Sequence, residues 1–214
     1  MPRHRAPIAA AVKPVEAPPS TPPSAPPSAP LRRDWRRQPI VLVGIMGSGK
    51  TTIGRRLAAR LRRPFVDADA EIEAAATMAI AEIFERFGEQ HFRDGERRVI
   101  ARLMDSGASV IATGGGAFMD PETRALILAT GTAIWLDADI DTLVARVAKR
   151  GHRPLLAGKD PKDVLTELIA VRRPAYAQAP IRIVSANGPH DMTVDAIMVA
   201  LKERDPRTGG TGKP

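Results

Sequence analysis

Residues Gly44 to Thr51 read GIMGSGKT, and the fold is decided there. The pattern is G-x-x-x-x-G-K-T. It follows the β-branched run at Pro39–Val43 and is followed at once by TTIGRRLAARL, so it stands where a strand hands over to a helix. Gly44, Gly47 and Gly49 allow backbone conformations and close approaches that a Cβ forbids. Successive N–H groups can then surround phosphate oxygens at a helix N-terminus. Lys50 supplies a point charge for the β- and γ-phosphates, and the Thr51 hydroxyl is the expected Mg²⁺ ligand. Gly47, Ser48, Gly49, Lys50, Thr51 and Thr52 form the predicted nucleotide-binding run.

Outward from this loop, short apolar runs alternate with helical patterns. Strands are predicted at Pro39–Val43, Pro64–Asp67, Ser109–Thr113, Thr132–Leu136 and Ile181–Ser185. Helices are predicted at Lys50–Leu61, Asp69–Ala76, Ile80–Asp105, Pro121–Ala129, Ile140–Arg150, Asp163–Gln178 and Asp191–Lys202. Strands alternating with helices predict an α/β fold with a five-stranded parallel sheet and helices on both faces.

The chain has 214 residues, enough for one well-packed domain with tails. It has no cysteine, which excludes disulfides, thiolate metal sites and a cysteine nucleophile and fits a reducing, cytoplasmic location. His4, His91, His152 and His190 are too scattered for a zinc site, so a metal is expected to be oxygen-bound. The formal net charge is +8, but its placement matters more than its size. The first 39 residues carry seven Lys/Arg against Glu16 and Asp34, and the end from Glu203 carries Arg204, Arg207 and Lys213 against two acids. The remainder is close to neutral. With 4% aromatic residues it lacks both the basic and the stacking surfaces of a nucleic-acid platform. Residues 1–37, including KPVEAPPSTPPSAPPSAP, predict a disordered Pro-rich basic tail, and 204–214 a second one. No apolar run suits a secretory leader or a membrane span. The domain is expected at 38–203.

The acceptor of a phosphate has to be sought at the other strand ends, because ligands bind at the carboxyl edge of a parallel sheet. The second strand ends in Asp67-Ala-Asp69. One carboxylate can serve the magnesium shell while the other accepts a proton from an attacking hydroxyl. Asp69 can equally cap the helix that follows, and the two roles do not exclude each other. Further on, FRDGE places Arg93 and Glu96 three apart on one helix face, where they can pair. By spacing alone Arg93 reads as a solvated arginine. Gly114, Gly115 and Gly116 follow the third strand, either as an ordinary loop or as a close backbone approach to a ligand.

Taken together, GIMGSGKT, FVDAD, IAEIFERFGEQHFRDGE, TGGGA, RVAKRGHRPLL and RRPAYAQ resemble the shikimate kinase family, a branch of the P-loop kinases, in order and approximate spacing across about 38–202. The resemblance implies a three-layer P-loop kinase fold with a substrate-binding region at about 69–100 and a mobile lid at about 150–163. It implies that Lys50 contacts ATP, that Thr51, with Asp67 through water, holds Mg²⁺, and that Asp69 binds shikimate and is the candidate base for its 3-hydroxyl. Arg93 and Arg172 would bind the substrate carboxylate, where a guanidinium offers a two-pronged match. Gly114, Gly115 and Gly116 would meet its hydroxyls. Arg153 would reach the transferring phosphate from the lid, and Arg146 would stack on adenine. Arg172 rather than the adjacent Arg173 fits the R-x-P-x-Y register.

Thr77 departs from the family pattern, standing where relatives commonly carry glycine. Gluconate kinase has a similar loop and is the nearest enzymatic alternative. A nucleotide-controlled binding module is another, although a switch needs no arginine-lined second pocket. The expected product is shikimate 3-phosphate, made by a monomer that binds neither nucleic acid nor membrane.

Overall fold

The computed structural model describes residues 34–148, 160–185 and 188–205. Five strands, β1 (Ile40–Val43), β2 (Phe65–Asp67), β3 (Val110–Ala112), β4 (Thr132–Asp137) and β5 (Ile181–Val184), form one sheet. Its order is β2-β3-β1-β4-β5, and every pairing is parallel. The helices are α1 (Lys50–Leu61), α2 (Ala68–Ala76), α3 (Ile80–Asp105), α4 (Pro121–Thr130), α5 (Ile140–Ala148), α6 (Pro161–Tyr176) and α7 (His190–Glu203). The expected α/β architecture is the one that forms, with the described strand and helix ends at or within two residues of the expected ones; residues 149 and 150, the expected end of the helix from Ile140, lie outside the described residues. A 3-10 turn at Ala117–Met119 was not anticipated.

The central strand is buried on both faces, and its residues alternate between two cores. Ile40 and Leu42 join Leu57 of α1 and Ile197 of α7. Val41 and Val43 join Ile100 of α3, Ile127 of α4 and Leu143 of α5. The period-two alternation of a strand therefore sorts one apolar run into two helix-covered layers. The register aligns Leu42 with Ala112 and Ala112 with Asp67, so the loops after β1, β2 and β3 leave the sheet along one edge.

Two local features depart from a plain reading of the helices. α3 is interrupted at Gly88, whose φ of 79° and ψ of 175° are not helical. The two segments are held across the break by aromatic pairs, Phe84 with Phe92 at 4.6 Å and Phe87 with His91 at 4.9 Å between ring centroids. Thr77 ends α2 with φ 51°. This is the left-handed region where an L side chain is strained, which accounts for the glycine expected at that turn.

The packed body begins before residue 38. Trp35 is 6% exposed and lies in the α1–α7 core. The Arg36 and Arg63 guanidinium groups stand over its ring at 4.6 and 5.5 Å. Arg36 also pairs with Asp205, which is 2% exposed. Composition placed residues 34–37 and 204–205 in the tails; one buried tryptophan and an ion pair to one buried carboxylate draw them onto the body.

Candidate active site

Gly44, Gly47 and Gly49 all have positive φ, at 140°, 83° and 97°. Gly49 is the N-cap of α1, so the loop ends on the N-terminal N–H groups of that helix. Lys50 Nζ donates to the carbonyls of Gly44 (2.7 Å) and Ile45 (3.0 Å), which keeps the ammonium over the loop. Ser48 is fully buried, its hydroxyl turned in toward Gly44, so its side chain is part of the loop's support. Thr52 stands beside Thr51 in the first turn of α1, half-buried. Arg146 donates to the Gly47 carbonyl at 3.5 Å and to Ser185 Oγ at 3.1 Å, which sets this guanidinium beside the loop.

Thr51 Oγ1 donates to Asp67 Oδ2 at 3.0 Å. The other oxygen of Asp67 accepts the backbone N–H of Asp69 at 3.2 Å. Asp67 is therefore the N-cap of α2, a position that Asp69 had been a candidate for, and Asp69 stands in the first helical turn. Among the described residues no group of three His, Cys, Asp or Glu could hold a metal alone. A hydroxyl beside one carboxylate is the donor set that suits Mg²⁺, which keeps waters and phosphate oxygens as its remaining ligands.

The acceptor side is built around the glycine turn. A Cβ placed on Gly114 would stand 2.7 Å from Asp69 Oδ1 and 3.2 Å from Glu96 Oε1; one on Gly116 would stand 2.8 Å from an Arg93 nitrogen. One on Gly115 would meet Arg172 at 3.3 Å and the Met46 N of the phosphate loop at 3.5 Å. Only residues without a side chain let the two carboxylates, the two arginines and the loop close on this turn. The Gly115 carbonyl accepts from Arg172 at 3.2 Å and from the Tyr176 hydroxyl at 2.5 Å. Arg173 points elsewhere, to Asp137 at 3.4 Å.

The charges here are strongly coupled. Glu96 is buried, and it accepts from Arg93 at 2.7 Å. Burial pushes the Glu96 carboxyl above the ordinary carboxylate range; the bond and charge of Arg93 oppose this, and the Asp69 carboxylate adds to it. For Arg93 burial works against the charged form, yet the bonds to Glu96 and Glu89 outweigh it and raise the pKa. Arg93 is thus a held cation rather than the solvated one its spacing suggested. Burial also pushes the Tyr176 hydroxyl up to about 12, so it stays a neutral donor.

Glu96 as the floor of this site and Tyr176 as the clamp on Gly115 were not among the expected site residues. Glu96 was legible only as an i, i+3 partner of Arg93, and Tyr176 only as the last letter of R-x-P-x-Y. Arg153, with most of the expected lid, lies outside the described residues.

A phosphate loop, a Thr–Asp pair beside it and a charged acceptor turn against the same loop, on a 2-3-1-4-5 parallel sheet, define a P-loop small-molecule kinase. The family model for shikimate kinase matches residues 46–202, and the chain belongs to that family. The shikimate kinase of Novosphingobium aromaticivorans is 57% identical over 170 residues, covering 78% of this chain and 88% of that protein. The solved structure of a shikimate kinase from Acinetobacter baumannii in complex with shikimate is 36% identical, with a TM-score of 0.73, covering 78% of this chain and 94% of that one. The chain is an enzyme that phosphorylates shikimate, using ATP and Mg²⁺. The gluconate alternative is not favoured: a gluconokinase from Sinorhizobium meliloti, at 15% identity and a TM-score of 0.56, shares the fold alone. Among the described residues no helix is long and apolar enough to cross a membrane.

Proposed function

We propose that the residues around Gly114–Gly116 receive shikimate and that the Gly44–Thr52 loop holds the ATP that phosphorylates it. The observation that carries this division of labour is the position of Gly115, whose carbonyl accepts from Arg172 at 3.2 Å and whose Cβ, were there one, would lie 3.5 Å from the Met46 N of the phosphate loop. Donor and acceptor groups meet there without an intervening element.

Arg93 and Arg172 take the substrate carboxylate, a planar anion that suits two guanidinium groups. Glu96 and Tyr176 fix the surroundings of those arginines, and Gly114, Gly115 and Gly116 admit the ring and its hydroxyls. Asp69 accepts the proton of the 3-hydroxyl as its oxygen bonds to the γ-phosphorus and the bond to the ADP oxygen breaks, giving shikimate 3-phosphate and ADP. Lys50 and the N–H groups of the loop offset charge on the phosphates. Thr51 and Asp67 would hold Mg²⁺, which when bound neutralises charge on the β- and γ-phosphate oxygens. Arg146 is assigned to stack on adenine, a role its bond to the Gly47 carbonyl supports, and Arg153 to the transferring phosphate on the family pattern.

On the same reading the enzyme is a cytoplasmic monomer acting on a small molecule and not on nucleic acid. The cysteine-free sequence and the near-neutral charge between the tails support this. The test is ADP release against shikimate, gluconate, quinate and nucleoside monophosphates, with wild type and with Arg93→Ala and Arg172→Ala. Turnover with shikimate alone, and a raised KM for it in both variants with ATP binding retained, is the expected result. Unchanged shikimate affinity in both variants removes the assignment of the two arginines.

A further inference from the structure

On the far side of α3 from Arg93 there is a cavity of about 570 Å³ between α2 and the two segments of α3. In a helix that advances about 100° per residue, Arg98 lies about 140° and Arg102 about 180° round the axis from Arg93. The cavity therefore shares a helix with the substrate site but opens on its opposite face. Its walls are apolar: Ile72 from α2, Ile83 and Phe87 from the segment of α3 before Gly88, and Phe92 and Val99 from the segment after it. Phe87 is 53% exposed, although its neighbours Ile83 and Phe92 are buried. An aromatic ring of that exposure beside a concave apolar wall is surface that an occupant would cover.

Two guanidinium groups stand at the rim. Arg102 is already engaged, with Glu71 at 2.9 Å. Arg98 makes no hydrogen bond or ion pair among the described residues. Its partner set is thus open, in a wall that carries no acidic side chain of its own. The volume falls in the range of small-molecule sites, and such sites combine an apolar lining with a few polar groups that fix orientation. The chemistry required of an occupant follows from the lining. It needs a flat apolar body to lie against Phe87, His91 and Phe92, and one anionic end for Arg98, with a carboxylate the best match to a guanidinium fork.

We propose that this cavity is a second ligand site, for a small aromatic carboxylate, distinct from the substrate site and bridging the break at Gly88. Because the lining comes from both segments of α3, an occupant contacts residues on each side of the break at once.

The test uses the full chain, with 3-phenylpropionate as probe and 3-phenylpropionamide as its neutral counterpart, titrated calorimetrically and by amide chemical shifts in the presence of saturating shikimate. The acid should bind saturably, shift residues of α2 and α3, and bind at least about tenfold more tightly than the amide, as a charge-assisted bond requires. Arg98→Ala should weaken the acid by about tenfold or more. Ala75→Trp, which fills the cavity from the exposed end of α2, should abolish binding with little change in Tm. Arg93→Ala should leave it intact, which separates this site from the substrate arginines. Absence of saturable binding, equal binding of acid and amide, or displacement by shikimate with Arg98→Ala unaffected would each overturn the proposal.

Discussion

Arg93 donates to Glu96 at 2.7 Å, and the two differ sharply in exposure: the Glu96 side chain is 4% exposed, that of Arg93 27%. The acid is the buried member, and burial is what pushes its pKa above the ordinary carboxylate range. A carboxyl whose folded pKa exceeds its unfolded one holds its proton better in the native state. Its contribution to stability is complete below the ordinary carboxylate pKa and is lost as pH climbs through the raised value. Glu96→Gln removes that titration. The unfolding free energy of wild type relative to this variant should fall as pH rises from the ordinary carboxylate range, about 4, toward neutrality. Denaturant titrations across that range check it, and a flat difference contradicts it.

Arg172 and Arg173 are adjacent, yet one meets the glycine turn and the other Asp137. Arg172→Ala should raise the KM for shikimate by roughly 10- to 100-fold, as loss of a charge-assisted bond does. Arg173→Ala should change it by less than about twofold, because Arg182 continues to pair with Asp137 at 2.6 Å. Initial rates over a shikimate series at saturating ATP decide between them. A larger effect from Arg173 would reverse the assignment.

Gly114→Ala puts a methyl 2.7 Å from Asp69 Oδ1 and 3.2 Å from Glu96 Oε1. Asp69 has to move, and a displaced base costs rate far more than affinity for the other substrate. The kcat should fall by about 100-fold, with the Kd for ATP unchanged. Full activity in this variant would show that Asp69 does not act from its present position.

Trp35 is buried in the α1–α7 core, so Trp35→Ala should destabilise the protein by about 3 kcal/mol. The kcat at a temperature where the variant is folded should be that of wild type, because none of the proposed site groups touches it. Thermal unfolding followed beside the activity assay separates the two effects. A drop in kcat without a drop in Tm is the outcome that fails.

Thr77 holds φ 51° at the end of α2. Thr77→Gly should relieve the left-handed strain and raise stability by about 0.5–1 kcal/mol, visible as a higher Tm. A lower Tm would mean that the threonine's own contacts outweigh its strain.

Much of this protein is legible in its residues because the relevant physics is local. GIMGSGKT between an apolar run and a helix can only be a strand-to-helix phosphate loop, since positive φ at Gly47 and Gly49 and an open helix N-terminus are properties of a few consecutive residues. The parallel sheet followed from buried runs alternating with amphipathic segments. Asp67, Asp69 and the three glycines stood out as candidates because they sit at strand ends. Other features depend on groups far apart in the chain. Glu96 became the floor of the site only when α3 packed against the glycine turn. Arg172 was separated from Arg173 by the direction in which α6 presents each, and Asp67 took the cap that Asp69 was equally suited for. Trp35 and Asp205 looked like tail residues until α1 and α7 provided a surface to bury them. The sequence by itself determined the phosphate chemistry and the layer architecture, through dihedral freedom and hydrophobic period. Only the tertiary structure decided which charge is buried against which, because burial and pairing are properties of surfaces that exist once the chain has closed on itself.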